Sequence, residues 1–446
     1  MISKIFQMQY CLIGNSFRKD QFIEVDERGK IISISNSRKD EDAEVIKLNG
    51  IVLPGLVNSH SHAFQVLLRG SIDKPMNFSD WVDSALYPLV EQLSDHSLEI
   101  ATTVAYCQMI QNGITTVGEF HYIHNQLDGS YEGDELTQVV IEAAKSVGIR
   151  QRLLYCGYDK GSKLGQKRFK REVNEVLNSV NNLRSRYHND ELIHIGVAPH
   201  SLHGASEEMI DALMKWSIEN NEPIHIHIAE QQSDLDLAKK LYNRSPLEFL
   251  NSKKLFNSNL SLVHGIWVKE DELQYMKDGR SHHVYNPLTN MALGDGIAPM
   301  DLYLSNEIPS AIGTDANNDL NILQELRTVE WLQRVSKLEM GILKPPQGSF
   351  GDISQLLFDM VTRNGGKSLM LPIGELKEGN YADFIVITTD TFSIRKKGNI
   401  LDQIINSLNI VEVLDAVYIG GELIYTSSNG FTRINVDDLL DKFNNI

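Results

Sequence analysis

His60 and His62 stand two positions apart directly after the apolar run 51–57, within Asn58-Ser59-His60-Ser61-His62-Ala63-Phe64-Gln65. In extended chain, side chains two residues apart share a face, so imidazoles with this spacing form a compact bidentate clamp for a metal ion. The spacing alone fits a pair of solvent-facing histidines equally well. What separates the two readings is whether other segments deliver further ligands at comparable positions, and four segments do. Pro199-His200-Ser201, the stretch from Pro223 through His225 and His227 to Glu230, Val263-His264-Gly265 and Ile312-Gly313-Thr314-Asp315 each end a short apolar run in a polar side chain. A donor set of His60, His62, His227 and Asp315 suits one divalent ion of hard-to-borderline character, Zn²⁺ first and Fe²⁺ as the alternative, with a position left for water. Such an ion lowers the pKa of a coordinated water to about 7. Glu230, just beyond His227, reaches the substrate instead of the ion and donates a proton to it. His264 flanks the attacked carbon, and Asp315 and His264 together help deprotonate the water.

Side chains from distant segments converge like this when the segments are parallel strands ending on one side. From residue 51 the chain alternates short apolar runs at 51–57, 114–118, 150–156, 192–198, 223–229, 260–264, 282–286 and 309–314 with helix-like stretches at 96–112, 134–147, 169–187, 206–220, 233–243 and 320–337. Ser206 followed by Glu207 and Glu208 reads as an N-cap with acidic residues in the first turn. This alternation predicts an α/β chain whose core is a (β/α)8 TIM barrel with its site at the C-terminal strand ends. Outside it the pattern is β-rich. Apolar runs at 6–13, 22–25, 30–34 and 44–48, with a hairpin turn at Glu27-Arg28-Gly29, are matched after residue 370 by 382–387, 411–413 and 416–425. The two termini are therefore expected to pair into one small β-sandwich domain, 1–50 plus 371–446, with a short amphipathic helix at 433–444. The barrel domain would span 51–370. His225, close to His227 and on the same face, is expected to pack, and 157–168 is a candidate lid.

Composition narrows the class. At 446 residues, 42% hydrophobic and 23% charged, the chain matches an ordinary globular enzyme with one large barrel. A formal charge of −17 disfavours nucleic acid or an anionic membrane as partner and leaves a small molecule. The basic stretch from Lys160 to Arg171 is expected to form a solvated loop and helix start. Cys11, Cys107 and Cys156 lie far apart without a Cys-x-x-Cys pair, which excludes a thiolate zinc knuckle and fits a reduced compartment. The opening residues lack the apolar core of a signal peptide, so a cytoplasmic location is expected. Barrels of this size often associate, and a homodimer is compatible with the composition.

The order and spacing of His60-x-His62, His227 with Glu230, His264 and Asp315 resemble the amidohydrolase superfamily over essentially the whole chain. The return strand in Gly379-Asn380-Tyr381-Ala382-Asp383-Phe384 adds to the likeness. The branch resembled is the mononuclear deaminases, because the mid-barrel strand ends at 153–156 and 193–195 offer no bridging lysine for a second metal. The other zinc-deaminase architecture, with His-x-Glu and Pro-Cys-x-x-Cys, is absent. Asn58 to Gln65, Gly118 to Tyr122, Gln166 to Phe169, Gly196 to Leu202, His225 to Gln231 and Leu293 to Ile297 look like formimidoylglutamate deiminase. That likeness implies that Gln65, Tyr122 and His200 line the substrate pocket.

Departures from that pattern redirect the substrate. An arginine that pairs with a substrate carboxylate is replaced by His203, and a second, expected just after Trp81, is Val82. A bidentate guanidinium is not exchanged freely where a carboxylate must be clamped. His203, Arg69 and Arg327 are the candidate substitutes. The last loop, Gly313 to Leu320 with Asn318, and Leu67-Leu68-Arg69-Gly70 look more like adenosine-type deaminases. Two activities follow, both releasing ammonia from a carbon–nitrogen bond. One is a formimidoyl or amidine iminohydrolase using Gln65, Tyr122, His200 and His203. The alternative is a deaminase of an aminopurine-like or other nitrogen heterocycle, with Trp81 and Asn318 in its pocket. A metal-binding, non-catalytic homologue is the reading from a different class, and the filled catalytic positions speak against it.

Overall fold

The computed structural model describes residues 2–37, 44–72, 75–344, 352–391, 394–395 and 398–446. Among the described residues, sixteen strands fall into two eight-stranded sheets. Four strands precede the barrel: β1 (Ile2–Ile13), β2 (Ser16–Asp26), β3 (Ile31–Ser35) and β4 (Val45–Pro54). The barrel strands are β5 (Leu56–Ser61), β6 (Ile114–His121), β7 (Arg150–Gly157), β8 (Ile193–Pro199), β9 (Ile224–Ile228), β10 (Leu260–His264), β11 (His282–Tyr285) and β12 (Ser310–Ile312). Four more follow: β13 (Phe384–Ile387), β14 (Leu414–Ile419), β15 (Glu422–Thr426) and β16 (Gly430–Phe431).

β5 to β12 pair in sequence order, in parallel throughout. The circle closes between its first and last strands through a Ser61–Asp315 bridge and backbone bonds from Thr314 and Asp315 N–H to the His60 carbonyl. Helices Asp95–Gln111, Glu135–Val147, Val173–Tyr187, Glu207–Asn220, Gln232–Tyr242 and Ile322–Lys337 occupy the expected helical stretches. Ser206 caps its helix as anticipated, accepting from Met209 N–H at 3.1 Å. The expected (β/α)8 barrel is the observed architecture.

Strands from both ends of the chain build the second sheet, in the order β16-β15-β14-β13-β4-β1-β2-β3. It curls enough for Phe6 of β1 to meet Tyr418 of β14 with ring centroids 5.4 Å apart, although two strands lie between them. The curl encloses a core of its own around Phe6, Met8, Val52, Phe384 and Tyr418, which gives the sheet its sandwich character.

Three local expectations change. The apolar run 51–57 is not one strand. Residues up to Pro54 pair with β13 in the second sheet, Gly55 passes the chain across, and the barrel strand starts at Leu56 and runs through both His60 and Ser61. Residues 411–413 lie in a short helix, Ile410–Val413, and the strand begins only at Leu414. The basic stretch is not all solvated. Arg168 is buried and donates to the carbonyls of Asn125, Val90 and Leu93, and buried Arg171 lies 3.3 Å over the Tyr131 ring. Carbonyl oxygens and an aromatic face compensate these guanidinium groups for lost water. Among the described residues, no helix is long and apolar enough to cross a membrane.

Candidate active site

The structure brings His60, His62, His227 and Asp315 together at the C-terminal ends of the first, fifth and eighth barrel strands. One ligand atom from each lies within 4.8 Å of all the others, and all four residues are buried. The Nε2 atoms of His60 and His62 approach Asp315 Oδ1 at 3.2 and 3.3 Å, and His227 Nε2 lies 3.1 Å from His60 Nε2. Two of the rings are oriented from behind. His62 Nδ1 donates to the Phe120 carbonyl at 2.9 Å and His227 Nδ1 to the His200 carbonyl at 3.0 Å. A neutral ring that donates through Nδ1 turns an Nε2 lone pair into the cluster, the arrangement that metal-ligating histidines adopt.

Electrostatics agree with that arrangement. Burial lowers the His60 pKa to about 4 and holds His227 well below its ordinary value, so both rings stay neutral. Neutral imidazole nitrogens facing one another and a carboxylate oxygen at about 3 Å repel unless positive charge lies between them. The donor set therefore fits one divalent cation with nitrogen and oxygen ligands.

Local backbone strain serves the same convergence. Asp315 (φ 48°), His264 (φ 74°) and Ala229 (φ 50°) all take left-handed conformations at strand ends, where non-glycine residues are uncommon. Gly313 must be glycine, because a Cβ there would sit 2.4 Å from Asn286 Oδ1 and 2.7 Å from His60 Cβ.

Glu230 and His264 stand beside the cluster, His264 Nε2 lying 3.6 Å from Glu230 Oε2. Burial, reinforced by Asp295 and Asp315, raises Glu230 well above the usual carboxyl range, which favours its proton-donating form. Asn290 Nδ2 donates to His264 Nδ1 at 3.1 Å and to Asp295 Oδ2 at 2.7 Å. A ring that accepts at Nδ1 carries its proton on Nε2 when neutral, so His264 offers the site a donor, where the sequence suggested a base.

A cleft of about 440 Å³ opens above these groups. Gln65, Trp81, Tyr122, His200 and His203 all line it, as do Phe78, Tyr87, Tyr158 and Phe169. Gln65 donates to Tyr122 Oη at 2.8 Å, and Trp81 Nε1 donates to Ser71 Oγ at 2.9 Å. Asn318 is exposed and lies outside the cleft. Its neighbour Asn317 turns inward at φ 57°, donating to Ser61 Oγ and the His62 carbonyl and accepting from Thr314 Oγ1. The left-handed turn at Asn317 is what sends the next side chain outward. Neither candidate arginine lines the cleft. Arg69 donates to the Asn317 carbonyl at 2.9 Å, and Arg327 is bonded to the carbonyls of Ile405 and Leu408. His203 lies at the rim, Nδ1 3.7 Å from Asp234 Oδ1. The 157–168 segment forms one wall through Tyr158 and Lys163, and Lys163 pairs across the mouth with Asp83. His225 bonds the Ser368 carbonyl at 2.9 Å, away from the cluster.

Several supporting residues went unassigned in the sequence. Asn58 ties the first strand to the last, accepting from Thr314 N–H and donating to Thr314 Oγ1 at 2.6 Å. Buried Glu119, with a pKa raised to about 7, accepts from Ala63 N–H at 2.8 Å and so holds the turn after His62. His283 Nε2 donates to the His264 carbonyl at 2.9 Å while its Nδ1 accepts from Ser310 Oγ at 3.2 Å, and the ring stacks on Tyr303 with centroids 3.9 Å apart. Asp295, between two glycines, carries the one available signal, a Gly-Asp-Gly turn inside a stretch already singled out.

Comparison with known proteins agrees with this architecture. A model of the amidohydrolase family matches residues 51–423. A 5'-deoxyadenosine deaminase of Methanosphaera stadtmanae is 28% identical over 432 residues, covering 96% of this chain and 95% of that protein. A 5-methylthioadenosine/S-adenosylhomocysteine deaminase of Pyrococcus abyssi is 28% identical over 429 residues, covering 96% and 93%. Among solved structures, an amidohydrolase from Brucella melitensis superposes with a TM-score of 0.87 at 24% identity, over 99% of this chain and 98% of the other. A zinc-bound adenosine deaminase from Xanthomonas campestris does so with a TM-score of 0.86 at 20% identity, over 100% and 97%. The family match spans most of the chain and contains every residue of the cluster, and on that ground this protein belongs to the amidohydrolase family, as a hydrolase of carbon–nitrogen bonds other than peptide bonds.

Proposed function

We propose that this protein is a metal-dependent deaminase of a nitrogen heterocycle, with aminopurine nucleosides such as 5'-deoxyadenosine as the substrate class. One observation carries the reading: the cleft over the His/Asp cluster is walled by aromatic rings, and no arginine is among the described residues that line it. Phe78, Trp81, Tyr87, Tyr122, Tyr158 and Phe169 offer stacking faces to a flat ring, and a substrate carboxylate would find no guanidinium there. The deaminase activities named for the Methanosphaera and Pyrococcus relatives support the same class. The formimidoylglutamate reading is the weaker one for the same reason, since His203 is turned toward Asp234 and Lys163 toward Asp83.

His60, His62, His227 and Asp315 would hold the divalent ion, Zn²⁺ or Fe²⁺, and when bound it supplies Lewis acidity and lowers the pKa of water to about 7. The chain's own groups handle the protons. Glu230 donates to the ring nitrogen beside the amino-bearing carbon while water adds to that carbon and passes a proton to Asp315. His264, a donor at Nε2, hydrogen-bonds the incoming oxygen and opposes the charge that builds on it. The amino group then takes the proton from Asp315 and leaves as ammonia, and the new hydroxyl returns its proton to Glu230 as the carbonyl forms.

The test is ammonia release from a panel of 5'-deoxyadenosine, methylthioadenosine, adenosine, guanine, a cyclic guanidine and formimidoylglutamate, with metal content measured on the same preparation. Turnover of a purine substrate is expected. Turnover of formimidoylglutamate alone would replace this reading with the iminohydrolase. No turnover from a metal-loaded protein on any compound would favour a non-catalytic homologue.

A further inference from the structure

Two segments that wall the cleft are tied together by one side chain. The helical run 78–90, after the first barrel strand, places Trp81, Val82, Leu86 and Tyr87 on the cleft. The loop after the third strand, 158–169, places Tyr158, Lys163 and Phe169 there. Gln166 belongs to that loop but stands behind the wall and does not line the cleft. Its Nε2 donates to Tyr87 Oη at 3.0 Å and to Tyr158 Oη at 2.8 Å, while its Oε1 accepts from Lys163 N–H at 2.9 Å. A carboxamide nitrogen carries two N–H bonds in one rigid plane, so both hydroxyls are held at once and at a fixed spacing.

The ties between the two segments are graded from the barrel outward. Innermost, buried Arg168 donates to the carbonyls of Val90 and Leu93 at 2.7 and 2.9 Å. Outermost, Lys163 pairs with Asp83, both half-exposed, and water and salt weaken a pair of that kind. Half-buried Gln166 lies between them in sequence, and Gly165 beside it brings the segments close, since a Cβ there would sit 2.8 Å from Tyr87 Cδ1. The stretch that these ties must hold is weak by itself. Between Trp81 and Tyr87 the chain makes a wide π turn, closed by Tyr87 N–H on the Val82 carbonyl, and none of Val82–Leu86 is buried. A turn with so few buried contacts opens at low cost unless its ends are fixed. Trp81 fixes one end through Ser71 Oγ at 2.9 Å, and Tyr87 is the other.

We propose that Gln166 is a positioning residue of the substrate cleft: its amide sets the spacing of Tyr87 and Tyr158 and couples the two segments, so that they hold a flat ring together and open together. Stacking depends on where each aromatic face stands, and a wall that drifts loses contact with the ring it should cover. Gln166 touches neither the His/Asp cluster nor Glu230 or His264, all of which sit at strand ends. It therefore acts on how well the ring is held, not on the proton transfers. The inference rests on the heterocycle reading for its kinetic arm and is independent of it for its exchange arm.

The experiment compares the metal-loaded wild type with Gln166→Met, which keeps the length of the side chain and removes its hydrogen bonds, with Tyr87→Phe, and with the double variant. Amide hydrogen exchange needs no substrate. In Gln166→Met it is expected to quicken by about 10-fold in peptides from both 78–90 and 158–169, with the barrel strands unchanged. In kinetics with 5'-deoxyadenosine, KM should rise by about 10-fold while kcat stays within about 2-fold, the mark of lost uniform binding. The double variant should lose less than the sum of the two single changes, because both break the same tie. Faster exchange in 158–169 alone, a fall in kcat at unchanged KM, or additive single effects would overturn the proposal. Should Gln166→Met fail to fold, Tyr87→Phe decides it: loss of that hydroxyl must quicken exchange in 158–169 as well, and an unchanged 158–169 would overturn the coupling. Coupled exchange combined with no turnover of any purine would leave the tie standing and remove the heterocycle reading instead.

Discussion

The two ends of the barrel treat buried charge in opposite ways. At the end that meets the second sheet, Arg150 and Asp383 are each almost fully buried and answer one another twice, Nε to Oδ2 at 2.7 Å and Nη2 to Oδ1 at 2.8 Å. Gly420 N–H adds a third bond to Asp383 at 2.7 Å, and Tyr381 covers the guanidinium at 3.6 Å. Each charge of that pair is matched, and the pair fastens the barrel to the sheet. At the opposite end His60 Nδ1 has no hydrogen-bond partner among the described residues, imidazole nitrogens face each other, and the buried Glu230 carboxyl lies beside His264. The matched end is what a joint requires. The unmatched end makes sense only with a cation, a substrate and moving protons.

Disturbing each end sharpens the contrast. The largest effect belongs to the open end. Stripping the metal with a chelator should reduce ammonia release to background, and one equivalent of Zn²⁺ or Fe²⁺ should restore it, with circular dichroism little altered throughout. Next, Glu230→Gln should keep its metal and lose about 10²–10⁴-fold in kcat, since it removes only the proposed proton donor. At the closed end Arg150→Met should behave in reverse. It leaves Asp383 buried without its partner, so unfolding in urea should report a loss of about 3–5 kcal/mol while kcat per folded molecule stays at the wild-type level.

Acid should distinguish the ends as well. Burial holds His121 at about 3 and His283 at about 4, against about 6.5 for an unfolded histidine. Below the unfolded value the unfolded chain takes up protons that the folded chain refuses, so the folded state is favoured least at low pH. The chelated protein is therefore expected to hold full stability above about pH 6.5 and lose it progressively toward pH 4, read as a falling urea midpoint. A midpoint flat over that window would show these rings are not excluded from protonation. The smallest effect lies away from both ends. Ser206→Ala removes one helix cap and should cost about 1 kcal/mol with no change in turnover.

Much of this was legible in residues whose signals are local. The helix at Glu207–Asn220 followed from its Ser206 cap, and the helix at Ile322–Lys337 from its place among the helix-like stretches between apolar runs, because a backbone hydrogen bond four residues away is indifferent to the rest of the chain. The ligand-like residues His60, His62, His227 and Asp315 were visible since each ends an apolar run, and parallel barrel strands send such ends to one side. Less local features were misplaced. Residues 51–57 read as one strand because its two halves are equally apolar, although Gly55 divides them between two sheets. Val411 and Val413 are strong strand formers that packing placed in a short helix.

Sequence by itself thus determined the barrel and the His/Asp cluster that gathers at its mouth, because strand period, caps and donor types are properties of short segments. Tertiary structure decided the rest. Whether Asn317 or Asn318 turns inward, whether an arginine enters the cleft, and whether Gln166 meets Tyr87 all depend on loops from different strands closing over one another. No spacing along the chain encodes such a meeting, since the partners are joined by the geometry of the closed barrel and not by their separation in sequence.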